Sequence, residues 1–580
     1  MRVRFKMEHQ AGAAGREEIK LTGNHESIAQ RIWRYKLHYI IVIPAMLLLI
    51  IFKIIPFVSG IWISLVDYKV FTGLFNSQWV GFDHFTRLFA DPIFRKVLVN
   101  TLLIKVMYIF ICGAAAFLIA LALGSIRSKL VRGLFSSLFL IPFFIPSVVF
   151  AFIFLYMLSP STSPFLTTET LIWADPDVFR PMLVFVEVLK TCGIPIMIAL
   201  AAISAKHAAV ERQASESTKS KLSYMQMNVL PALRAVAAFM ILQLSTLLST
   251  DFELIRSLVN PLVYEVGDTL EHYSFRISFM MMEVSQSAAI GLVQFGIQLF
   301  FTVIAYFIVK GNFLKDLFNG YASPSAIKAE NGGKSIFGIA IACLYAIVVI
   351  VPLYMLFVYP FAGGIESIGS FFSFWNVVSY IVIDLLAVFM FMFITVTLAY
   401  PLTVKRLPGR SVYKLLLILI ITMGGGLISE YLFARNLNMV NTIFPQFLFG
   451  FFNLTAVFVL KSIFNARYAD LKEQAEAGGR GELHTFITLF IPKIWKPLLA
   501  LGALQFVVLW NSYYPSLIYL ANVENYSPVM QFAQQASSGE GNIRVILQFG
   551  AWLSLPSIVI FLLFRKWLTS EVFVSSIRKL

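Results

Sequence analysis

Glu187 and Lys190 lie three residues apart in a long apolar run, and Lys105 and Asp384 sit in two others. Ionisable groups are expensive inside hydrocarbon and default to function there. On a helix, the i,i+3 spacing puts Glu187 and Lys190 on one face, where they can neutralise each other. Lys105 and Asp384 can line a polar path or form an interhelical pair. A second set mixes carboxylates, amides and aromatic rings near the ends of apolar runs. Gln243, Asp251 and Glu253 occupy one such place, and Trp510, Asn511, Tyr513 and Tyr514 occupy another. A cavity for a polar ligand needs this mixture: hydrogen-bonding groups to replace lost water and rings to cover apolar patches. Trp and Tyr also anchor helices at membrane interfaces, which is the structural alternative. Carboxylates at 251 and 253 disfavour a strongly anionic ligand unless Arg256 and Arg276 compensate.

Other chemistries lack their residues. Cys112, Cys192 and Cys343 lie inside apolar runs without a CxxC pair, and the seven histidines form no HxxxH ligand pair. Asn331 to Ser335 looks like the end of a P-loop, but the first glycine of that motif would fall at Lys328. No metal or nucleotide cofactor is expected in this chain.

The elements that must position these groups are membrane helices. Of 580 residues, 58% are hydrophobic and 13% charged, against about 25% charged in soluble domains. Mean hydropathy is +0.79. These values exclude an ordinary soluble enzyme and a disordered chain. One span takes about 20 apolar residues. Candidate spans one to six fall at 37–57, 98–125, 134–158, 181–205, 232–255 and 286–309. Spans seven to twelve fall at 335–358, 375–400, 411–433, 440–463, 494–515 and 545–564. The first run carries no small-residue cleavage site and is expected to be a retained anchor. With the N-terminus inside, cytosolic segments hold 34 Lys and Arg and external segments 9, with three more in spans. That bias predicts cytosolic N- and C-termini. The net charge of +15 therefore reflects basic cytosolic loops, and no nucleic-acid partner is expected.

A polar linker, 311–334, divides the chain into halves of six spans each, 37–310 and 335–580, after a cytosolic segment 1–36. Each half has a long cytosolic stretch before its fifth span, ending Leu230-Pro231 in one and Ile491-Pro492 in the other. Each second span opens on an asparagine, Asn100 and Asn376. Internal duplication in a polytopic protein points to transport, with a path between two similar bundles.

Residues 473–492 read EQAEAGGRGELHTFITLFIP. Glu473, Ala475, Gly479, Leu489, Ile491 and Pro492 resemble the EAA loop of ABC-importer permeases, anchor by anchor. In that family the loop forms a coupling helix that docks on a cytosolic ATPase. Glycine permits its bend and proline ends the helix before the next span. The first half holds the same frame in degenerate form. Arg212, Gln213 and Ala214 stand in the Glu-Ala-Ala slots, Thr218 in the glycine slot and Asn228 in the isoleucine slot, with Leu230 and Pro231 retained. The coupling loops span 206–231 and 465–492.

Flanking residues narrow the resemblance. Asn260-Pro261-Leu262-Val263-Tyr264-Glu265-Val266 with Asp268 is similar to the first permease of carbohydrate importers of the oligosaccharide/polysaccharide group. Trp510-Asn511 with Pro515 is similar to a segment of the partner permease. What the resemblance implies is an all-α polytopic membrane protein of about twelve helices. Two maltose-importer-like type I permease halves would be fused in one chain at a bacterial plasma membrane. It implies import of a glycan by alternating access, with ATP and Mg bound by a separate cytosolic ATPase dimer and an external solute-binding protein delivering substrate. An ion-driven secondary transporter with two six-span repeats is the alternative; it predicts intramembrane carboxylates without a docking loop. A membrane enzyme would need a catalytic constellation in a sizeable loop, and none is recognisable.

Overall fold

The computed structural model describes Gln30, Ile32, Trp33 and residues 35–69, 71, 73–160, 171–214, 223–310, 332–364, 373–404, 407–423, 426–477, 481–538 and 542–568. Most of the 1–36 and 311–334 segments lies outside these residues. The apolar runs form helices because a helix satisfies its own backbone groups where no water is present. Among the described residues, ten helices are long and apolar enough to span a membrane. Two further pairs, each bent at a short break, bring the number to twelve.

The bent pairs are the third span of each half, where the sequence predicted single runs. Span three is Lys129–Phe144 plus Ser147–Met157, bent by 97°, and span nine is Arg410–Thr422 plus Leu427–Asn436, bent by 98°. Pro146 forces the first bend: Ile145 before it is extended, with ψ 135°, as a pre-proline residue prefers. In the second, Gly426 stands at the N-cap of the second arm, and residues 424–425 lie outside the described residues.

Three more boundaries differ from expectation. Span four breaks at Cys192 into Pro176–Thr191 and Gly193–Ala214. At Gly193 the chain lies against the Phe139 carbonyl, where an added Cβ would sit 2.3 Å from the oxygen. Span five, Met225–Leu244, stops short of 255. Asp251 instead caps a separate helix, Phe252–Leu258. Span eleven, Glu482–Asn511, is followed by another short helix, Tyr514–Tyr519.

The halves interlock. Span one, Lys36–Ser64, packs on span eight, Phe374–Leu402, while span seven, Ile336–Phe361, packs on span two, Pro92–Ser125. Within each half, spans two and five or eight and eleven meet at a glycine. Gly113 faces Met240 and Val236, with a built Cβ 2.9 Å from the Met240 sulfur. Gly502 faces Met392 and Val388, again 2.9 Å from a methionine sulfur. The two asparagines also play parallel parts. Asn100 donates to the Glu265 carbonyl at 2.8 Å, and Asn376 donates to the Tyr526 carbonyl at 3.1 Å. Each ties the start of its second span to the segment after the fifth span of its half.

Candidate functional site

A cavity of about 440 Å³ lies between the halves, within the range of roughly 300–1,000 Å³ for small-molecule sites. Lys53, Asp251, Glu253, Glu271 and Gln294 line it from the first half. Met423, Gly426, Glu430, Ser512 and Tyr514 line it from the second. A neighbouring cavity of about 340 Å³ shares Lys53 and Met423 and adds Asn453 and Gln505. The span-nine bend thus forms a wall of both.

Lys53 reaches this position through a local irregularity. Residues Ile50–Ile54 form a π-turn, closed by Ile55 N–H to the Ile50 carbonyl. Pro56 follows, with no N–H to donate and a ring that displaces the carbonyl four residues back. The ladder widens to i→i+5, a bulge common at functional sites. Lys53 Nζ then lies 2.8 Å from Glu430 Oε1 of span nine. Neither residue stood among the sequence candidates. Lys53 was legible as an in-span cation, but no local pattern indicates a partner 377 residues away.

The two other in-span lysines also meet carboxylates, though not as their spacing suggested. Glu187 and Lys190 do not pair with each other: Glu187 lies 3.8 Å from Lys105 and Lys190 lies 3.9 Å from Asp251. Both belong to the separate helix Pro176–Thr191, whose buried face packs on span two. Lys105 is thereby committed to Glu187 rather than Asp384. Asp384 is buried in span eight and lines neither cavity.

Glu253 joins the halves. Its Oε1 accepts from Ser512 Oγ at 2.6 Å, Tyr513 N at 2.8 Å and Tyr514 N at 2.9 Å. A first-half carboxylate therefore caps the N-terminus of the second-half helix Tyr514–Tyr519, where orphan N–H groups favour negative charge. Asp251 accepts from Leu254 N at 3.0 Å and from Ser147 Oγ, just past the span-three bend, at 2.7 Å. Glu271 accepts from Ser249 Oγ at 3.1 Å and Thr250 N at 3.3 Å.

The aromatic and amide candidates separate. Tyr514 lines the cavity and meets Phe252 of the other half edge-on, ring centroids 5.1 Å apart. Trp510 is buried, stacked on Phe506, and donates to the Leu553 carbonyl at 2.9 Å. It faces neither lipid nor cavity. Tyr513 is buried away from the lining. Asn511 donates to the Phe144 carbonyl at 3.1 Å and accepts from Ser557. Gln243 is half-buried near Thr246 and also stands apart. Arg256 stacks over Phe275, and Arg276 pairs with Asp268, so neither lines the cavity.

Of the coupling residues, Gly479 and Thr218 lie outside the described residues. Glu473 and Ala475 fall in the helix Leu454–Ala477, and Arg212 and Ala214 in Gly193–Ala214. The exits of the two loops share one geometry. A π-turn, Met225–Val229 or Phe486–Phe490, leads into Leu230-Pro231 or Ile491-Pro492, again with proline as the cause. Leu489 lies inside the second turn. Asn228, in the isoleucine slot, is buried and meets His207 Nε2 at 3.0 Å. At the second exit, Glu482 Oε2 lies 2.5 Å from His38 Nδ1 of span one, and His38 stacks on Tyr400. Among the described residues no cluster of His, Cys, Asp or Glu could hold a metal ion.

No protein-family model matches the chain. Protein LplB of Bacillus subtilis is 28% identical over 267 residues, 45% of this chain and 84% of the relative. The polygalacturonan/rhamnogalacturonan transport system permease protein YteP of the same organism is 27% identical over 290 residues, 48% of this chain and 89% of the relative. Among solved structures, a bacterial alginate ABC transporter in complex with an alginate pentasaccharide-bound periplasmic protein has a chain 24% identical to this one. The match covers 48% of this chain and 96% of that one, with a TM-score of 0.42.

Proposed function

We infer that this chain, homologous to permease subunits of bacterial carbohydrate transport systems, is the membrane-spanning part of an ABC importer for oligosaccharides. Two permeases are joined in it. Support for the fusion comes from relatives that align over 84% and 89% of their own length while covering under half of this chain. The chain is a multi-pass membrane protein. Its termini are cytosolic and the membrane is a bacterial plasma membrane, in line with its basic loops and bacterial relatives. An external binding protein delivers the glycan. A separate cytosolic ATPase dimer, which holds ATP and Mg, docks on the loops 206–231 and 465–492.

The observation that carries the proposal is a cavity walled by both halves and crossed by two inter-half clasps, Lys53–Glu430 and Glu253–Ser512. Relative movement of the halves must break and remake these contacts, which alternating access requires. Glu473 retains the acidic docking residue, whereas Arg212 does not. In the complex co-purified with its ATPase, Glu473→Lys is expected to lower oligosaccharide-stimulated ATP hydrolysis at least tenfold, and Arg212→Ala less than threefold. The chain alone should not hydrolyse ATP. Equal damage from both substitutions would refute the unequal coupling. Uptake that persists without ATP but collapses with the ion gradient would favour a secondary transporter instead.

A further inference from the structure

We propose that the inter-half cavity accepts uncharged oligosaccharides and excludes polyuronates. The proposal rests on the importer function and deepens it by naming the charge class of the substrate. Each uronate residue carries a carboxylate. To leave water it needs a charge-assisted partner, best supplied by the fixed fork of an arginine. Among the described residues lining the cavity there is no arginine, and the single cation is Lys53. Its ammonium is already committed to Glu430 at 2.8 Å.

Facing it are three further carboxylates, Asp251, Glu253 and Glu271. All three accept hydrogen bonds from hydroxyl or backbone N–H donors, none of them cationic; burial pushes Glu253 and Glu271 up to about 7, so these two are part-ionised at neutral pH. Three basic residues outside the lining are paired with carboxylates, and Arg256 stacks on Phe275 without entering the lining. Lys190 lies beside Asp251, Lys105 beside Glu187, and Arg276 against Asp268. A polyanion therefore meets like charge without a compensating donor, and juxtaposed like charges reject a ligand more sharply than missing contacts do.

An uncharged glycan meets the opposite situation. Its hydroxyls are donors, and the wall offers carboxylate oxygens together with Ser274, Gln294 and Ser512. Phe252 and Tyr514, one from each half, present ring surface to its C–H faces. Substrate charge would then be read in the membrane as well as at delivery.

Saturation-transfer NMR on the detergent-solubilised full chain tests this without a binding protein. The probes are maltotetraose, cellotetraose and mannotetraose against tetragalacturonate. At least one neutral tetrasaccharide should bind, and tetragalacturonate should bind at least tenfold more weakly. The double variant E271Q/E430Q removes two carboxylates and releases Lys53, and it should narrow the gap below threefold. E271Q alone should narrow it partially and serves if the double variant does not fold. Tetragalacturonate binding to the native chain as tightly as a neutral probe, or a gap unmoved in a folded variant, overturns the charge assignment. Absence of binding by every probe overturns the cavity as a glycan site, whereas the importer reading falls only if uptake by the assembled complex persists without ATP.

Discussion

The third span of each half bends by nearly the same angle, yet the two bends serve opposite ends. At span three, the break is sealed by the other half. Asn511 of that half donates to the Phe144 carbonyl and Phe561 stacks on the Phe144 ring at 4.4 Å, while Ser147 donates to Asp251 of its own half. At span nine, the described residues on either side of the break face a cavity. Met423 and Gly426 line it, and Glu430 on the second arm reaches across it to Lys53. A proline bend leaves a defined carbonyl to be satisfied by a fixed partner. One geometry occurs twice, and residue chemistry makes one copy a strut and the other a wall of the cavity.

The largest expected effect lies where the bends are tied together. Glu253→Leu strips the acceptor from Ser512 and from two backbone N–H groups, and buried unsatisfied donors are costly. A loss of about 3 kcal/mol should appear as a lowered thermal midpoint in detergent, with transport abolished. Unchanged stability would mean the clasp is dispensable. Next comes Asn511→Leu, which orphans the Phe144 carbonyl. Destabilisation of about 2 kcal/mol is expected by the same measurement, and transport lost only in step with folding would sharpen the contrast with span nine. The smallest effect on stability, under about 1 kcal/mol, should come from Gly426→Ala. Its new Cβ would lie 2.8 Å from Ser429 Oγ, a side chain able to rotate. Uptake by reconstituted complex should fall severalfold nonetheless, and Ser429→Ala should restore part of it. If Gly426→Ala instead unfolds the protein while Asn511→Leu does not, the assignment of strut and wall is reversed.

Much of the architecture is legible in residue order. Apolar runs and the basic-loop bias give the spans, because the membrane imposes both. What escapes is whatever depends on a distant neighbour. Pro146 and Gly424-Gly425-Gly426 are visible, but a run that bends keeps the hydropathy of one that does not. Hydropathy also carried spans five and eleven through Asp251 and toward Pro515, since the short helices beyond them are apolar too. Asp251, Glu253 and Tyr514 could be chosen for chemistry alone. Trp510 and Tyr513 share that chemistry and are packing residues, because the face each presents is set by Phe506, Leu553 and Glu253 rather than by its own type. Lys53 and Glu430 needed the fold: neither has a local partner, and only the crossing of span one onto the second half brings them together.

That crossing raises a sorting problem during membrane insertion, since twelve apolar helices offer many wrong neighbours. The two glycine contacts bear on it. In the first half the glycine is on span two and the methionine on span five; in the second half the methionine is on span eight and the glycine on span eleven. Exchanging partners would set Gly113 against Gly502, drawing those helices closer than either packs now, and Met240 against Met392, where two long side chains collide. Lipid supplies no hydrophobic preference among helices, so close packing of small residues decides which ones associate. The swapped pair therefore acts as a key that fits only within its own half, letting two similar bundles mature side by side in one polypeptide without trading helices.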